Sequence, residues 1–126
     1  MIIPKHGLLV GARLRKDLTG LSRLIIARTD GIALYDDVPL RERDGGAALT
    51  AAMLGLAATA TAAFGLGAAR VSTTVGEDGV VVLAPVDAGH VLAILLDAGA
   101  DVASAAEAVM REAERLRVLS GMARTA

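Results

Sequence analysis

The side chains that could carry chemistry are few and lie far apart in the sequence. The only histidines are His6 and His90, and there is no cysteine. Histidines so far apart, without a recognisable Asp or Glu ligand spacing, do not make a metal site. The acidic pairs Asp36-Asp37 and Glu77-Asp78 are most simply turn residues, because paired catalytic carboxylates need a cleft. We therefore expect no metal, no cofactor and no catalytic residues.

Motifs for nucleophiles and phosphate binding are missing as well. None of the serines Ser22, Ser72, Ser104 and Ser120 lies in a nucleophile-elbow context. Gly65-Leu66-Gly67 lacks the Gly-Lys-Ser/Thr ending of a phosphate loop, and it follows a predicted helix instead of opening one. We interpret it as a helix stop. These absences favour a protein that acts by binding and not by catalysis.

The overall charge excludes other classes of function. The sequence has 13 Lys+Arg against 14 Asp+Glu, a net charge of -1, so it carries no electrostatic footprint for nucleic acid or an anionic membrane. The absence of cysteine fits a reducing cytoplasm. Two Arg-rich stretches are interpreted as solvated helix faces, with an acidic partner surface as the alternative: Arg13, Arg15 and Lys16, and Arg111, Arg115 and Arg117.

Hydrophobic patterning predicts the elements that position these residues. Helices are expected at 7–18, from an Asp44 N-cap to about Phe64, and from an Asp101 or Ser104 cap to about Leu119, with residues 121–126 frayed. Strands are expected at 21–28, 32–36, 70–75, 80–85 and 90–96. Tight turns between strands imply one antiparallel sheet. Since two strands are apolar on both sides, the middle helix covers one face and the terminal helices the other.

One stretch is long and apolar enough to require a membrane test. Residues 45–69 carry no charge, and a spanning helix needs roughly 20 predominantly apolar residues. However, the run consists mostly of Ala, Gly and Thr, is closed by Gly65 and Gly67, and lacks a basic flank on one side. We interpret it as a soluble helix that is buried on most of its surface. Pro4, Lys5 and His6 likewise interrupt the N-terminal apolar run, which argues against a signal peptide.

The succession of elements carries a family resemblance. Thr29-Asp30-Gly31 lies between two short strands, an Ala-rich helix closes on Gly65-Leu66-Gly67, and the strand VVVLAP follows a Gly-bounded turn. Over about residues 8–119 this order resembles the roadblock / dynein light chain family. The resemblance implies an α/β, profilin-like three-layer sandwich with the order α-β-β-α-β-β-β-α, formed by residues 1–126 as one domain. It also implies a homodimer whose relatives regulate or anchor small Ras-like GTPases, or serve as scaffold subunits.

Two apolar stripes follow the middle helix. Larger residues recur at helical spacing and are predicted to face the sheet: Leu49, Met53, Leu56, Ala60 and Phe64. The second stripe has only small residues, where a solvated face would carry charges: Ala51, Gly55, Ala58 and Ala62. Small residues let two backbones approach closely. We therefore predict that this stripe packs against its copy across a twofold axis, the alternative being that loops or chain ends cover it.

The edge strands support the same prediction. In the family's sheet order, strand 70–75 lies at an edge, and it carries neither Pro nor an inward charge that would block pairing. Strand 32–36, at the opposite edge, is ended by Asp36, Asp37 and Pro39. We predict that the open edge pairs with its copy through Val71, Thr73 and Val75. The alternative is a short exposed edge, which monomers tolerate.

These observations favour a cytoplasmic, dimeric, non-catalytic regulator or adaptor of a small Ras-like GTPase, without nucleic-acid binding or membrane insertion. Two alternatives stay open. One is a small-ligand sensor with a pocket between helix and sheet, and the other is a passive scaffold subunit of a larger complex.

Overall fold

The computed structural model describes residues 1–121 and, for Asp44, the backbone only; the predicted fraying of 122–126 lies outside the described residues. The predicted order α-β-β-α-β-β-β-α is confirmed, with one added 3-10 turn at Leu40–Glu42. The helices are α1 (Pro4–Asp17), α2 (Arg43–Ala63) and α3 (Val102–Leu119). The strands are β1 (Leu21–Arg28), β2 (Ala33–Asp36), β3 (Ser72–Gly76), β4 (Gly79–Asp87) and β5 (His90–Asp97).

The strands form one antiparallel five-stranded sheet in the order β2-β1-β5-β4-β3. β5 lies in the centre, where Ala93 is opposite Ile25 of β1 and Leu83 of β4. β2 and β3 are the edges, as predicted. The sheet therefore separates two layers of helix and leaves one edge strand at each end.

The face towards α1 and α3 carries the larger core. Large aliphatic side chains of alternate strand positions, such as Leu24, Ile26 and Ile94, are fully buried there. Leu14 of α1 and Leu116 of α3 close over them. Each such side chain contributes about 1.5–3 kcal/mol on burial. A core without tryptophan is therefore built by many aliphatic contacts.

The face towards α2 is smaller and is lined by shorter side chains. Ala27 and Ala93 of the sheet meet Ala47 and Leu54 of the helix. α2 ends as predicted, because Gly65 takes φ +71°. The Gly65 N–H donates to Ala62 O and the Leu66 N–H to Thr61 O, which is the Schellman arrangement.

Several predicted boundaries were wrong. α1 begins at Pro4, which suits a first helical position, so His6 lies inside a helix. α2 begins at Arg43, so Asp44 is not its N-cap. Asp101 caps α3, and its carboxylate accepts hydrogen bonds from the Ser104 N–H and hydroxyl, which excludes the alternative Ser104 cap. These hydrogen bonds lower the pKa of Asp101 below its ordinary value.

Candidate functional site

The helix α2 is rotated relative to the prediction. Leu49, Leu56 and Phe64, expected to face the sheet, are 67%, 73% and 77% exposed. The side that meets the sheet instead carries Ala47, Thr50 and Leu54, which are buried. The predicted sheet-facing stripe was therefore wrong for Leu49, Leu56 and Phe64. Its other two members, Met53 and Ala60, are half-buried, and Met53 packs against the core on this side of the sheet.

The start of α2 explains this rotation. Arg43 donates from Nε to Val38 O (3.0 Å) and from Nη2 to Asp36 O (2.9 Å), which ties the first turn to the end of β2. Gly46, on the same side, lies against the guanidinium of Arg23 in β1, so close that a Cβ there would meet Arg23 Cζ at 3.1 Å. Together these contacts fix which side of the helix faces the sheet, independently of where its largest apolar residues are.

The outward face of α2 is consequently uncharged. Residues 45–63 contain no Asp, Glu, Lys or Arg. The exposed residues that form this face are Ala48, Leu49, Ala52, Gly55, Leu56, Thr59, Ala62 and Ala63. Phe64 and Leu66, just beyond the helix, are also exposed. A contiguous exposed apolar surface of this kind marks an interaction site. We call it the outward face of α2.

The predicted small-residue stripe lies along one flank of this face. Gly55, Ala58 and Ala62 are exposed, whereas Ala51 is half-buried. A Cβ at Gly55 would meet no described atom within 4 Å outside its own helical neighbourhood. Space for a close approach is therefore present, although Ala51 turns partly towards the sheet.

The edge strand β3 pairs with β4 on one side only within the described residues. Thr73 and Val75 are exposed, and Val71, just before the strand, packs partly against the core of α1 and α3. Val75 lies opposite Val80, and Thr73 opposite Val82. The strand thus offers an open edge of unpaired backbone groups with uncharged side chains.

At the opposite edge, ionic contacts that sequence reasoning missed join β2 to β1. The Asp36 carboxylate, whose side chain is 0% exposed, accepts from Arg23 Nε (2.9 Å) and Nη2 (2.7 Å). This hydrogen bond outweighs partial burial and raises the pKa of Arg23 above its ordinary value. Asp36 is therefore a buried structural partner and not a solvated turn residue. No local pattern reveals it, because Arg23 lies on the neighbouring strand.

Asp37 organises a second group of contacts beside it. Its carboxylate accepts from the Leu24 N–H (2.7 Å) and from the Tyr35 hydroxyl (3.2 Å), and it pairs with Arg15 of α1. Burial, and then the charge of Asp37, raise the pKa of Tyr35 above its ordinary value. These contacts tie α1 to β1 and β2, which is a structural role.

The described residues offer little for catalysis. His90 Nδ1 lies 2.8 Å from Asp87 Oδ1 at the β4–β5 turn, and His6 Nδ1 accepts from the Ile3 N–H in α1. Over residues 1–121 no three His, Cys, Asp or Glu side chains converge to hold a metal ion. A depression of about 390 Å³ lined by Thr74, Val81 and Leu95, among others, is an open stretch of sheet surface, unlike an enclosing ligand pocket.

Leu40–Ala63 is the one described helical segment long and apolar enough to cross a membrane by length and composition alone. Its buried side packs on the sheet of its own fold, and it opens with the charged residues Arg41, Glu42 and Arg43. The prediction that this helix is buried on most of its surface was therefore wrong, since its outward residues are exposed.

The sequence model of the Roadblock/LC7 domain matches residues 3–96, which run from α1 to β5. The chain belongs to the Roadblock/LC7 domain family. Several solved structures share the fold of this Roadblock/LC7 protein. A Roadblock/LC7 domain from Streptomyces avermitilis has a TM-score of 0.80 at 17% identity, covering 97% of this chain and 100% of that one.

Two further neighbours of the Roadblock/LC7 chain are MglB proteins. An MglB with a tetrameric arrangement has a TM-score of 0.79 at 15% identity, and the gliding protein MglB from Thermus thermophilus has 0.78 at 14%. Both comparisons cover 94% of this chain and 90% of the neighbour. At these identities the likeness establishes the fold alone. Among the curated proteins, none is similar enough in sequence to match.

Proposed function

We propose that this Roadblock/LC7 protein is a homodimeric, non-catalytic regulator or adaptor of a small Ras-like GTPase. The observation that carries the proposal is the outward face of α2, which is long, exposed and uncharged. Nothing in its surroundings suggests a chemical role for such a surface, whereas contact with a second protein would explain why it is exposed and uncharged. We further propose that residues 1–126 act as one domain, because α3 packs on the same sheet face as α1. We also propose that this domain is cytoplasmic.

The first partner in this proposal is a second copy of the chain. The flank of Ala51, Gly55, Ala58 and Ala62 lets two α2 helices approach closely, as small residues do in other helix pairs. Burial of Leu49 and Leu56 in the same contact would add about 1.5–3 kcal/mol for each side chain that becomes fully buried. A twofold interface places equivalent residues opposite one another, which a self-complementary apolar surface allows.

The edge strand extends the same interface. Antiparallel pairing of two β3 strands would satisfy their free backbone groups and join the two sheets. Val71, Thr73 and Val75 would then lie at the seam. A tetrameric arrangement in one fold neighbour shows that an MglB protein self-associates, which supports the proposal without determining the interface here.

The dimer is tested by light scattering after gel filtration at tens of micromolar. We expect a dimer for the natural chain and a monomer for Gly55→Arg, because a charge in the helix seam would be buried without a partner, at a cost of several kcal/mol. Ala103→Arg, at an exposed position of α3, is the matched control and should stay dimeric. A natural chain that is monomeric, or a Gly55→Arg variant that remains dimeric, would contradict the assignment.

The second partner, a small Ras-like GTPase, is inferred from the family. Such a GTPase orders its switch loops around the γ-phosphate and releases them on hydrolysis. A protein that touches these loops must bind the two forms differently, and differential affinity is sufficient to shift the switch equilibrium. A second route is to stimulate hydrolysis by holding the GTPase's own catalytic loop in place, without an arginine supplied in trans. No catalytic residue of the roadblock chain is required.

This part is tested by affinity capture from the native cytoplasm, followed by titration of the captured GTPase loaded with GTP or GDP. We expect a GTPase to be recovered and one nucleotide form to bind more tightly. Equal affinities would instead favour a passive scaffold. Recovery of no GTPase, together with stabilisation by a metabolite, would favour the ligand sensor.

A further inference from the structure

A buried glutamate lies between α1 and α3, on the sheet face opposite α2. The Glu112 side chain is 1% exposed, and nitrogens of three arginines surround its carboxylate: Arg13 Nε at 3.4 Å, Arg111 Nε at 3.4 Å and Arg115 Nη1 at 3.5 Å. Burying a charge in a helix seam is costly, and an apolar residue would pack there at least as well. Glu112 therefore requires an explanation other than the stability of the seam.

The geometry shows what Glu112 accomplishes. Three guanidinium groups would repel one another if they were gathered without an anion, and the central carboxylate holds them within 3.5 Å of a single group. We call Arg13, Arg111 and Arg115 the arginine cluster. Sequence analysis left its residues as solvated helix faces or as a site for an acidic partner.

The arginine cluster keeps more donors than Glu112 uses. Arg13 Nε and Glu112 Oε1 are both buried without a hydrogen bond, so the central contacts are loose. Arg111 is additionally held by Asp17 (2.7 Å). Within the described residues, Arg13 and Arg115 contact no other acidic group, and their side chains are 39% and 44% exposed. Each guanidinium has five N–H donors in a planar fork, which matches a carboxylate in bidentate geometry.

We propose that the arginine cluster is a binding site for an acidic segment of a partner protein. Two carboxylates, Glu112 and Asp17, face three guanidinium groups, so the site keeps one net positive charge and pre-positioned donors on Arg13 and Arg115. Exposed apolar residues flank it, since Leu9 lies one helical turn before Arg13 and Val118 one turn after Arg115. Mixed charged and apolar character is typical of protein interfaces.

An anionic membrane is the less suitable occupant. Adhesion to lipid headgroups relies on larger sets of basic residues, about 4–8 together. Here Asp17 and Glu107 share the surface with the arginine cluster and would repel a negatively charged plane. A segment of chain, by contrast, places individual carboxylates on Arg13 and Arg115 while avoiding these acids.

The site is separate from the proposed dimer contact. α1 and α3 lie on one face of the sheet and α2 on the other. Arg111, Glu112 and Arg115 also lie beyond residues 3–96, the segment matched by the family model. The site combines this part of α3 with Arg13 of α1, and it is defined by Glu112 and the arginine cluster without reference to a GTPase. A chain that captures no GTPase would still be expected to bind the acidic segment.

The test is a fluorescence-anisotropy titration of the full chain with a labelled peptide of glutamate and leucine, at low and rising salt. We expect Arg13→Gln combined with Arg115→Gln to weaken binding about tenfold. The matched control, Arg28→Gln with Arg41→Gln, removes the same charge from exposed sites elsewhere and should change binding less than about twofold. Circular dichroism checks that both variants fold.

The variant Glu112→Gln distinguishes binding at an organised site from attraction by net positive charge alone. If the carboxylate organises the arginine cluster, binding weakens although the protein gains positive charge; stronger binding would overturn the proposal. Equal losses in the two double variants, no binding of the peptide, or arginine-dependent binding only to phosphatidylserine vesicles would overturn it as well. Should Glu112→Gln fail to fold, the comparison of the two double variants decides the question.

Discussion

The close contact between Gly46 of α2 and Arg23 of β1 leads to a prediction of unusual sign. Gly46 lies inside the first turns of α2, where replacement of glycine by alanine normally stabilises a helix by about 1 kcal/mol. A Cβ at Gly46, however, would collide with Arg23 Nη2 and lie 3.3 Å from Ile25 Cδ1. Arg23 is the only partner that neutralises the buried Asp36 carboxylate among the described ion pairs. We therefore expect Gly46→Ala to destabilise the protein.

The magnitude follows from the pair that is displaced. Arg23 makes two hydrogen bonds to Asp36, at 2.9 and 2.7 Å, and the Asp36 side chain is 0% exposed. Separating a buried ion pair costs about 3–5 kcal/mol, because one charge stays buried without its partner. Because Arg23 Nη2 is the end of a flexible side chain, full separation of the pair sets the upper limit. After subtracting the helix propensity of alanine, about 1 kcal/mol, Gly46→Ala should lower the free energy of unfolding by at most about 2–4 kcal/mol.

Urea unfolding at pH 7 and fixed protein concentration measures this change. Gly45→Ala is the matched control, since it lies in the same helical turn and a Cβ there would meet nothing within 4 Å; it should be neutral or stabilising. In an Arg23→Ala background the penalty of Gly46→Ala should disappear, because the colliding group is gone. A Gly46→Ala variant as stable as the natural chain would refute the reasoning.

Two further predictions concern ionisation and nucleotide binding. Tyr35 is the only tyrosine and the chain has no tryptophan, so its ultraviolet titration in the folded protein should have a midpoint above its ordinary 10.0, and Asp37→Asn should lower that midpoint without abolishing the shift. Because the pKa of Tyr35 is higher in the folded than in the unfolded chain, its contribution to the free energy of unfolding is fully present below pH 10 and is lost as the pH rises through the raised pKa. A folded-state midpoint at or below the ordinary value would contradict this prediction. Calorimetry of the chain alone with GTP and Mg²⁺ should give no heat of binding, and micromolar affinity would overturn the non-catalytic proposal.

The strands and their hairpin pairs were predictable because their determinants are local, whereas the place of β1 beside β5 followed only from the family resemblance. Runs of apolar and β-branched residues such as 21–28 and 80–85 are bounded by glycine-containing turns, and hairpins fix which neighbours pair. The end of α2 was predictable for the same reason, since Gly65 accepts a positive φ at little cost. The start of α2 was not, because Arg43 is held by carbonyl oxygens of β2 and the following turn that become its neighbours only after folding.

The polar contacts were missed for a related reason. Asp36 looked like a turn residue, yet it is buried because Arg23 reaches it from the adjacent strand. Glu112 and Arg13 lie at opposite ends of the sequence and meet only where α1 and α3 cross the sheet side by side. Composition identifies these residues as charged. Their partners depend on the tertiary arrangement, which no spacing rule encodes.

The rotation of α2 carries the most information about function. Hydrophobicity alone assigns Leu49 and Leu56 to the core, since burial in the sheet and burial against another protein produce the same pattern. The fold separates the two possibilities: Ala47, Thr50 and Leu54 cover the sheet, whereas Leu49 and Leu56 are left outside. Under the dimer proposal, the exposed apolar side of α2 is buried only on association. In that case, substitutions on the inner side of α2 should act on folding and those on the outward face on association, and the two effects are linked through protein concentration.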